Sequence, residues 1–329
     1  MKISVYSPLR ISFAGGGTDI SPFFEKYGGA VFNTTIDRGI LLRYTDDKMP
    51  LEVSSRDFLK SAIVLKQNSS VEDKIMELFM SNGIKTGKLI INSDVPPGSG
   101  LGSSSALITG ILKIIYKITN KNKNSYEIAE EAYNIEKTNF GIVLGKQDPY
   151  AISVGGLKYM EFSKNSVITE AFNLENDFIE TLQKSMLLVY TGKTRESSNA
   201  LRDQVIKSEK NDSDTLNKLL KIKGLAGSME KAFKTSDYGE FCNIVNSGWE
   251  IKKTLGQKVS SEKVDGIIDF AKSIGARAAR LLGGGLEGFI LLITPPDNVN
   301  NLQKEMLKKS EFVIRVRFDA MGSRMVSPF

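Results

Sequence analysis

The stretch from Ile90 to Ala106 constrains this chain more than any other, because its residue order allows little besides one local architecture. An apolar run, Lys88-Leu89-Ile90-Ile91, reads as a buried strand and is stopped by Pro96 and Pro97. Gly98, Gly100 and Gly102 then free the backbone for tight or left-handed turns. Ser103, Ser104 and Ser105 follow as N-cap-type residues. Ala106, Leu107, Gly110, Ile111, Ile114 and Ile115 then recur at helical spacing, so a helix with one buried face starts near Ser103. Strand, glycine loop and helix N-terminus together form a phosphate cradle, since unpaired N–H groups and the positive end of the helix dipole face the anion. A plain Gly/Ser turn would need neither three alternating glycines nor three serines.

The loop is not a Walker A loop, because no lysine follows Gly102. The decoy Gly192-Lys193-Thr194 fails as well, since the first glycine of such a loop would fall where the chain has Leu187. The chain contains no histidine, which excludes Ser-His-Asp and Cys-His catalysis, His-ligated zinc and the His-Arg-Asp loop of protein kinases. A general base must therefore be a carboxylate, Lys, Tyr or Cys. The single cysteine, Cys242, rules out a disulfide framework and fits a reducing cytosol. The first residues lack the apolar core of a signal peptide, and no apolar run approaches membrane-spanning length; the expectation is a cytoplasmic protein with no membrane partner. Net charge is +6, with lysines dispersed rather than clustered with aromatics, which argues against nucleic acid and suits anionic phosphates.

In chain order, Lys2 to Tyr6 reads as a first strand and Pro8 to Ala14 as a second short extended piece, with Arg10, Ser12 and Ala14 on one face. Gly15-Gly16-Gly17-Thr18-Asp19 follows, open to close ligand approach and ending in a carboxylate. The bland alternative makes Asp19 the N-cap of a helix from Ser21 to Tyr27. Ala30–Ile36 and Ile40–Thr45 read as paired strands, Leu51–Ser54 as a strand and Val71–Met80 as a helix. A helix from Tyr126 to Thr138 carries Glu136 near its end, and Asp148 stands twelve residues later, before Gly155-Gly156 and a strand to Phe162. Taken alone, a helix-terminal Glu is usually solvated and an Asp before Pro is often a turn residue. Beyond an apolar strand from Ser185 to Tyr190, residues Glu196 to Lys272 read as helical scaffold, with Trp249 as a packing anchor. Ala278 to Leu292 reads as strand, glycine loop, strand. Its Gly283, Gly285 and Gly288 spell a dinucleotide fingerprint but lack the following helix. A final strand spans Phe312 to Asp319.

The run Pro96-Pro97-Gly98-Ser99-Gly100-Leu101-Gly102-Ser103-Ser104-Ser105-Ala106 resembles the second motif of the GHMP kinases, the galactokinase, homoserine kinase, mevalonate kinase and phosphomevalonate kinase superfamily. Arg10-Ile11-Ser12-Phe13-Ala14-Gly15-Gly16-Gly17-Thr18-Asp19 resembles its first motif. It is closest in form to the D-glycero-D-manno-heptose 7-phosphate kinase branch and its fucokinase-like relatives, as are Tyr27-Gly28-Gly29 and Thr34-Thr35-Ile36-Asp37. Gly283-Gly284-Gly285 resembles the third motif, but Leu286 and Glu287 stand where glycine is usual. A larger, charged loop there is expected to crowd or reshape the site.

The resemblance implies an α+β two-domain GHMP kinase fold, with an S5-like N-terminal domain (1–170) and a ferredoxin-like C-terminal domain (171–329), and a site in the cleft between them. It implies ATP and Mg²⁺ as cofactors. Phosphates would lie against Pro97, Gly98, Ser99, Gly100, Leu101, Gly102, Ser103, Ser104 and Ser105, and the metal on Ser104 and Glu136. Asp148 would be the catalytic base, with Arg10 beside it. Sugar would bind at Gly16, Gly17, Thr18, Asp19 and Gly284, and a sugar phosphate at Lys193 and Arg195. Residues Asp57 to Ser70 would supply the adenine pocket. The implied reaction phosphorylates the anomeric hydroxyl of a heptose 7-phosphate for nucleotide-heptose and surface-polysaccharide synthesis, by a monomer or homodimer. The alternatives are another sugar-1-kinase of fucokinase type, or a homologue that binds nucleotide or sugar without turnover.

Overall fold

A computed structural model describes residues 1–55, 71–192, 198–256 and 259–327. Its first sheet is built on a long antiparallel pair, β1 (Lys2–Ala14) and β2 (Gly29–Pro50), in register from Lys2 opposite Thr45 to Ala14 opposite Phe32. Each is one strand, where the sequence suggested two pieces. Pro8 faces Gly39 and Leu9 faces Ile36, so Asp37 and Arg38 bulge out. A bulge is where a sheet tolerates a proline without ending the strand. β4 (Thr86–Ser93) continues the sheet beside β2, and β3 (Glu52–Ser55) lies parallel to β4 at the edge. β5 (Leu157–Phe162) pairs with the first half of β2, and β6 (Val167–Phe172) with β5.

The second sheet has the order β10-β7-β9-β8: Val313–Ile314, Met186–Tyr190, Phe289–Ile293 and Ala278–Leu281. The expected strand from Phe312 to Asp319 is divided between the two sheets. β10 stays with β7, whereas β11 (Phe318–Asp319) pairs with β2 and β12 (Arg324–Val326) with β1. Asp37 and Arg317 exchange hydrogen bonds at the crossing: Asp37 N donates to Arg317 O, and Arg317 N donates to Asp37 Oδ1, each at 2.9 Å.

The helices are α1 (Phe23–Tyr27), α2 (Val71–Ser81), α3 (Ser103–Ile118), α4 (Ser125–Thr138), α5 (Gln147–Val154) and α6 (Asp177–Ser185). The rest are α7 (Ser198–Glu209), α8 (Ser213–Lys234), α9 (Tyr238–Lys253), α10 (Glu262–Ser273) and α11 (Val299–Met306). α3 is apolar on almost every side, as a helix buried between a sheet and other helices must be; it packs on β1, β2, α4 and α5. α8 and α9 cross from the second half onto β1, and Phe13 meets Phe233 and Phe241 at ring distances of 6.1 and 5.4 Å. One apolar core thus runs through both halves and includes Phe13 and Ala14, which lead into the first glycine loop. A second core, holding the buried Trp249, lies on the other face of the second sheet. Among the described residues, no helix is long and apolar enough to cross a membrane.

Candidate active site

The glycine loop after β4 adopts left-handed backbone at Gly98, Gly100 and Gly102, with φ of 69°, 78° and 79°. Gly102, not a serine, is the N-cap of α3, and no side chain caps the helix. The first helical bond runs from Ala106 N to Gly102 O, so the N–H groups of Ser103, Ser104 and Ser105 have no partner inside the helix. The serines expected as caps therefore present backbone donors at the end of a 16-residue helix, the geometry that attracts phosphate.

This loop is gripped from the second half of the chain. Gly283 packs so tightly on Gly100 that a Cβ on Gly283 would lie 2.5 Å from the Gly100 Cα. Phe289 N donates to Ser99 O at 3.0 Å. The loop's side chains divide accordingly: Ser99 and Leu101 are fully buried beneath it, while Gly98, Gly100, Gly102 and the three serines line a cleft of about 200 Å³. Pro97 does not reach the cleft lining.

Arg10 and Asp148 face each other across the cleft floor. Arg10 Nε and Nη2 donate to the two carboxylate oxygens of Asp148 at 2.7 Å each, and Nη1 donates to Gly100 O at 2.6 Å. Asp148 sits in the first turn of α5 rather than in a turn before Pro149. Glu136, on α4, is 1% exposed, and its Oε1 accepts from Ser105 Oγ at 2.6 Å. Burial pushes its pKa up to about 7, opposed by the hydroxyls of Ser105 and Ser104 and reinforced by the charge of Asp148. Glu136 and Asp148 thus sense each other, and Ser104 lies between the phosphate loop and Glu136.

The first glycine loop forms another wall. Gly16, Gly17 and Asp19 line the cleft, as does Gly284 opposite. Asp19 is not a helix cap: its carboxylate accepts from Gly17 N and Gln147 N at 2.9 Å each, tying this loop to the start of α5. Burial raises its pKa, an effect the two backbone donors oppose and Asp148 reinforces. Thr18 does not face the cleft. It is fully buried under the loop, where its hydroxyl meets Gly15 O and Ala30 O and accepts from Ala30 N. Leu286 and Glu287 do not crowd the cleft either. Leu286 N donates to Val259 O at 2.9 Å, and neither residue is among those lining the cleft; one Glu287 carboxylate oxygen is buried without a partner among the described residues. Lys193 and Arg195, and the whole 57–70 segment expected at the adenine, lie outside the described residues.

The structure adds residues the sequence did not single out. Gln147 is buried at the cleft with Nε2 unpartnered, and Gln204 of α7 donates to Gly17 O at 2.8 Å. Lys252 and Arg280 also line the cleft. Gln204 and Lys252 come from the stretch that looks like scaffold in sequence, whereas Gln147 stands beside Asp148 and Arg280 just before the third glycine loop.

The GHMP kinases N terminal domain matches residues 63–156, and the GHMP kinases C terminal family matches 229–311. The chain is 32% identical over 333 residues to a D-glycero-alpha-D-manno-heptose 7-phosphate kinase of Campylobacter jejuni, covering 97% of each chain. It is 27% identical to an L-fucokinase/L-fucose-1-P guanylyltransferase of Bacteroides fragilis, covering 97% of this chain and 38% of that protein. A crystal structure described as a D-glycero-D-manno-heptose 1-phosphate kinase from Bacteriodes thetaiotaomicron superposes with a TM-score of 0.79 at 26% identity, covering both chains completely. The chain belongs to the GHMP kinases and is an ATP-dependent sugar kinase.

Proposed function

We propose that this kinase transfers the γ-phosphoryl group of ATP to the anomeric hydroxyl of D-glycero-D-manno-heptose 7-phosphate, giving the 1,7-bisphosphate. The observation that carries the reading is the Arg10–Asp148–Gly100 arrangement: a carboxylate locked at the mouth of a phosphate cradle, in a chain that resembles a heptose 7-phosphate kinase along its whole length. The relative of fucokinase type supports a second reading, a free 6-deoxyhexose as acceptor.

Phosphoryl transfer asks a protein to position the groups, spread the charge and prepare the hydroxyl. The N–H groups of Ser103 to Ser105 hold the phosphates against the loop. Asp148 accepts the acceptor's hydroxyl proton as the new O–P bond forms and the bond to the ADP oxygen breaks, and the proton then leaves to solvent. Arg10 fixes the carboxylate's direction by its two parallel bonds. Asp19, held by backbone donors, offers its remaining acceptor sites to sugar hydroxyls, and Gln147 Nε2 offers a donor.

The donor set fits Mg²⁺. Glu136 is a buried carboxylate with no cationic partner among the described residues. The described residues hold no group of three or more acidic or cysteine ligands, and Mg²⁺ is satisfied by one or two carboxylates together with phosphate oxygens. Glu136 and Ser104 would hold the ion, which would neutralise the charge on the phosphate oxygens. ADP release measured with heptose 7-phosphate, free heptose and free fucose tests the reading. A kcat/KM highest for heptose 7-phosphate by 100-fold or more supports it, and a preference for a free sugar overturns it.

A further inference from the structure

Two cations line the cleft with no carboxylate bonded to them among the described residues, Arg280 buried and Lys252 half-buried. Lys252 stands in the last turn of α9 and Arg280 on β8. Neither forms an ion pair among the described residues. The carboxylates nearby are engaged elsewhere: Asp148 by Arg10, Asp19 by two backbone amides and Glu136 by Ser105. Lys252 Nζ donates to the carbonyl of Gly283 at 2.5 Å, and that glycine packs on Gly100 of the phosphate loop. Arg280 is 3% exposed, donates Nη1 to Phe13 O at 2.7 Å, and leaves Nε without a partner. Buried Lys and Arg without a counter-charge are rare, because taking a charge out of water is costly unless it is paired.

We propose that Lys252, backed by Arg280, is a phosphoryl-contacting residue that closes the anion site from the C-terminal half of the chain. The ammonium group is seated on the Gly283 carbonyl, between the phosphate loop and the sugar wall. An arriving phosphoryl group would complete its hydrogen bonding and supply the missing negative charge. Lys252 keeps part of its surface open to the cleft, while protein atoms crowd its amine. That crowding, with the charges of Arg280 and Arg10 and against the weaker pull of Asp19 and Asp148, lowers its pKa to about 7. Burial and Arg10 likewise pull Arg280 down to about 10. A bound phosphoryl group would reverse this and hold Lys252 charged.

The proposal rests on the kinase chemistry and not on which sugar is accepted. Two groups share the required chemistry: the phosphoryl in transfer and a phosphate carried by the acceptor. Lys252→Met and Lys252→Arg separate them. If Lys252 meets the transferring group, the Met variant lowers kcat about 10- to 100-fold on phosphorylated and free sugars alike, the scale of one charged hydrogen bond, and Arg restores part of it. If it meets the acceptor's phosphate, KM rises by the same factor for the sugar phosphate alone. Values within twofold of wild type for both acceptors overturn the proposal. Acetylation of the unaltered protein with acetic anhydride at neutral pH gives a test that needs no variant. Lys252 should react early and be protected by the non-hydrolysable analogue AMP-PNP or by heptose 7-phosphate. Equal labelling with and without either ligand also overturns the proposal. Catalysis confined to free sugars would remove the heptose 7-phosphate reading while leaving the kcat arm intact.

Discussion

Arg10 joins both oxygens of Asp148 at 2.7 Å and, with its third nitrogen, the carbonyl of Gly100 at 2.6 Å. One side chain of β1 therefore sets the distance between the Asp148 carboxylate and the glycine loop. Asp148→Asn keeps the size of the side chain but removes its basicity. Its kcat should fall by about 10²- to 10⁴-fold, the usual contribution of a positioned base, while ADP affinity stays unchanged by calorimetry. Near-normal kcat would deny Asp148 that role. Arg10→Lys cannot make the parallel pair of bonds and should also lower kcat, with little effect on ADP binding.

Glu136 carries a pH signature. Its folded pKa is raised to about 7 from the model-compound value of 4.5. Between these values the unfolded chain has already released the proton that the fold retains, so in the absence of metal this group's contribution to stability falls as pH rises through that window. Mg²⁺ needs the ionised carboxylate, so the Mg²⁺ concentration for half-maximal activity should fall as pH rises from 6 to 8. Glu136→Gln should require more Mg²⁺ at every pH and flatten both trends. An unchanged Mg²⁺ requirement in that variant would reject Glu136 as a ligand.

Lys158 carries the opposite sign. It is fully buried, donates to Gly155 O and Gly156 O at 3.0 and 2.9 Å, and so ties down the end of the helix that bears Asp148. Burial lowers its pKa to about 7. From about pH 7 to its unfolded value near 10.5, the unfolded chain binds the extra proton, so Lys158 adds stability as pH rises. Urea unfolding should show wild type gaining on Lys158→Met between pH 7.5 and 9.5. A constant difference would mean that Lys158 keeps its ordinary pKa.

Gly145 tests the wall of the cleft that holds Asp19. A Cβ there would lie 1.9 Å from Asp19 Oδ2, so Gly145→Ala must move either Asp19 or the start of α5. The acceptor KM should rise several-fold and the melting temperature should fall, with ADP binding retained. If both are unaffected, Asp19 is not held where the structure has it.

Local chemistry made the phosphate loop and the α3 start readable, because prolines, glycines and serines act within a few residues of themselves. Glu136 and Asp148 were singled out by the resemblance and not by local chemistry, which reads one as a solvated helix end and the other as a turn residue, whereas the fold puts them on α4 and in the first turn of α5. What escaped the sequence depends on distant packing. The bulge at Asp37–Arg38 looked like a strand break, and Thr18 looked like a ligand until the fold placed it under its own loop. Lys252 and Arg280 lie more than 240 residues from Arg10, the first on a stretch whose local pattern is that of scaffold and the second on a strand that reads only as core. Leu286 and Glu287 looked obstructive because a linear motif cannot show which residues of the loop line the cleft, and these two do not.

The most direct test of the account is phosphorus NMR on the product formed from ATP, Mg²⁺ and D-glycero-D-manno-heptose 7-phosphate. The account predicts ADP and a sugar bearing two phosphate esters, the original at carbon 7 and a new one coupled to the anomeric proton. A new ester on any other carbon, or ATP consumption without a sugar bisphosphate, would contradict it.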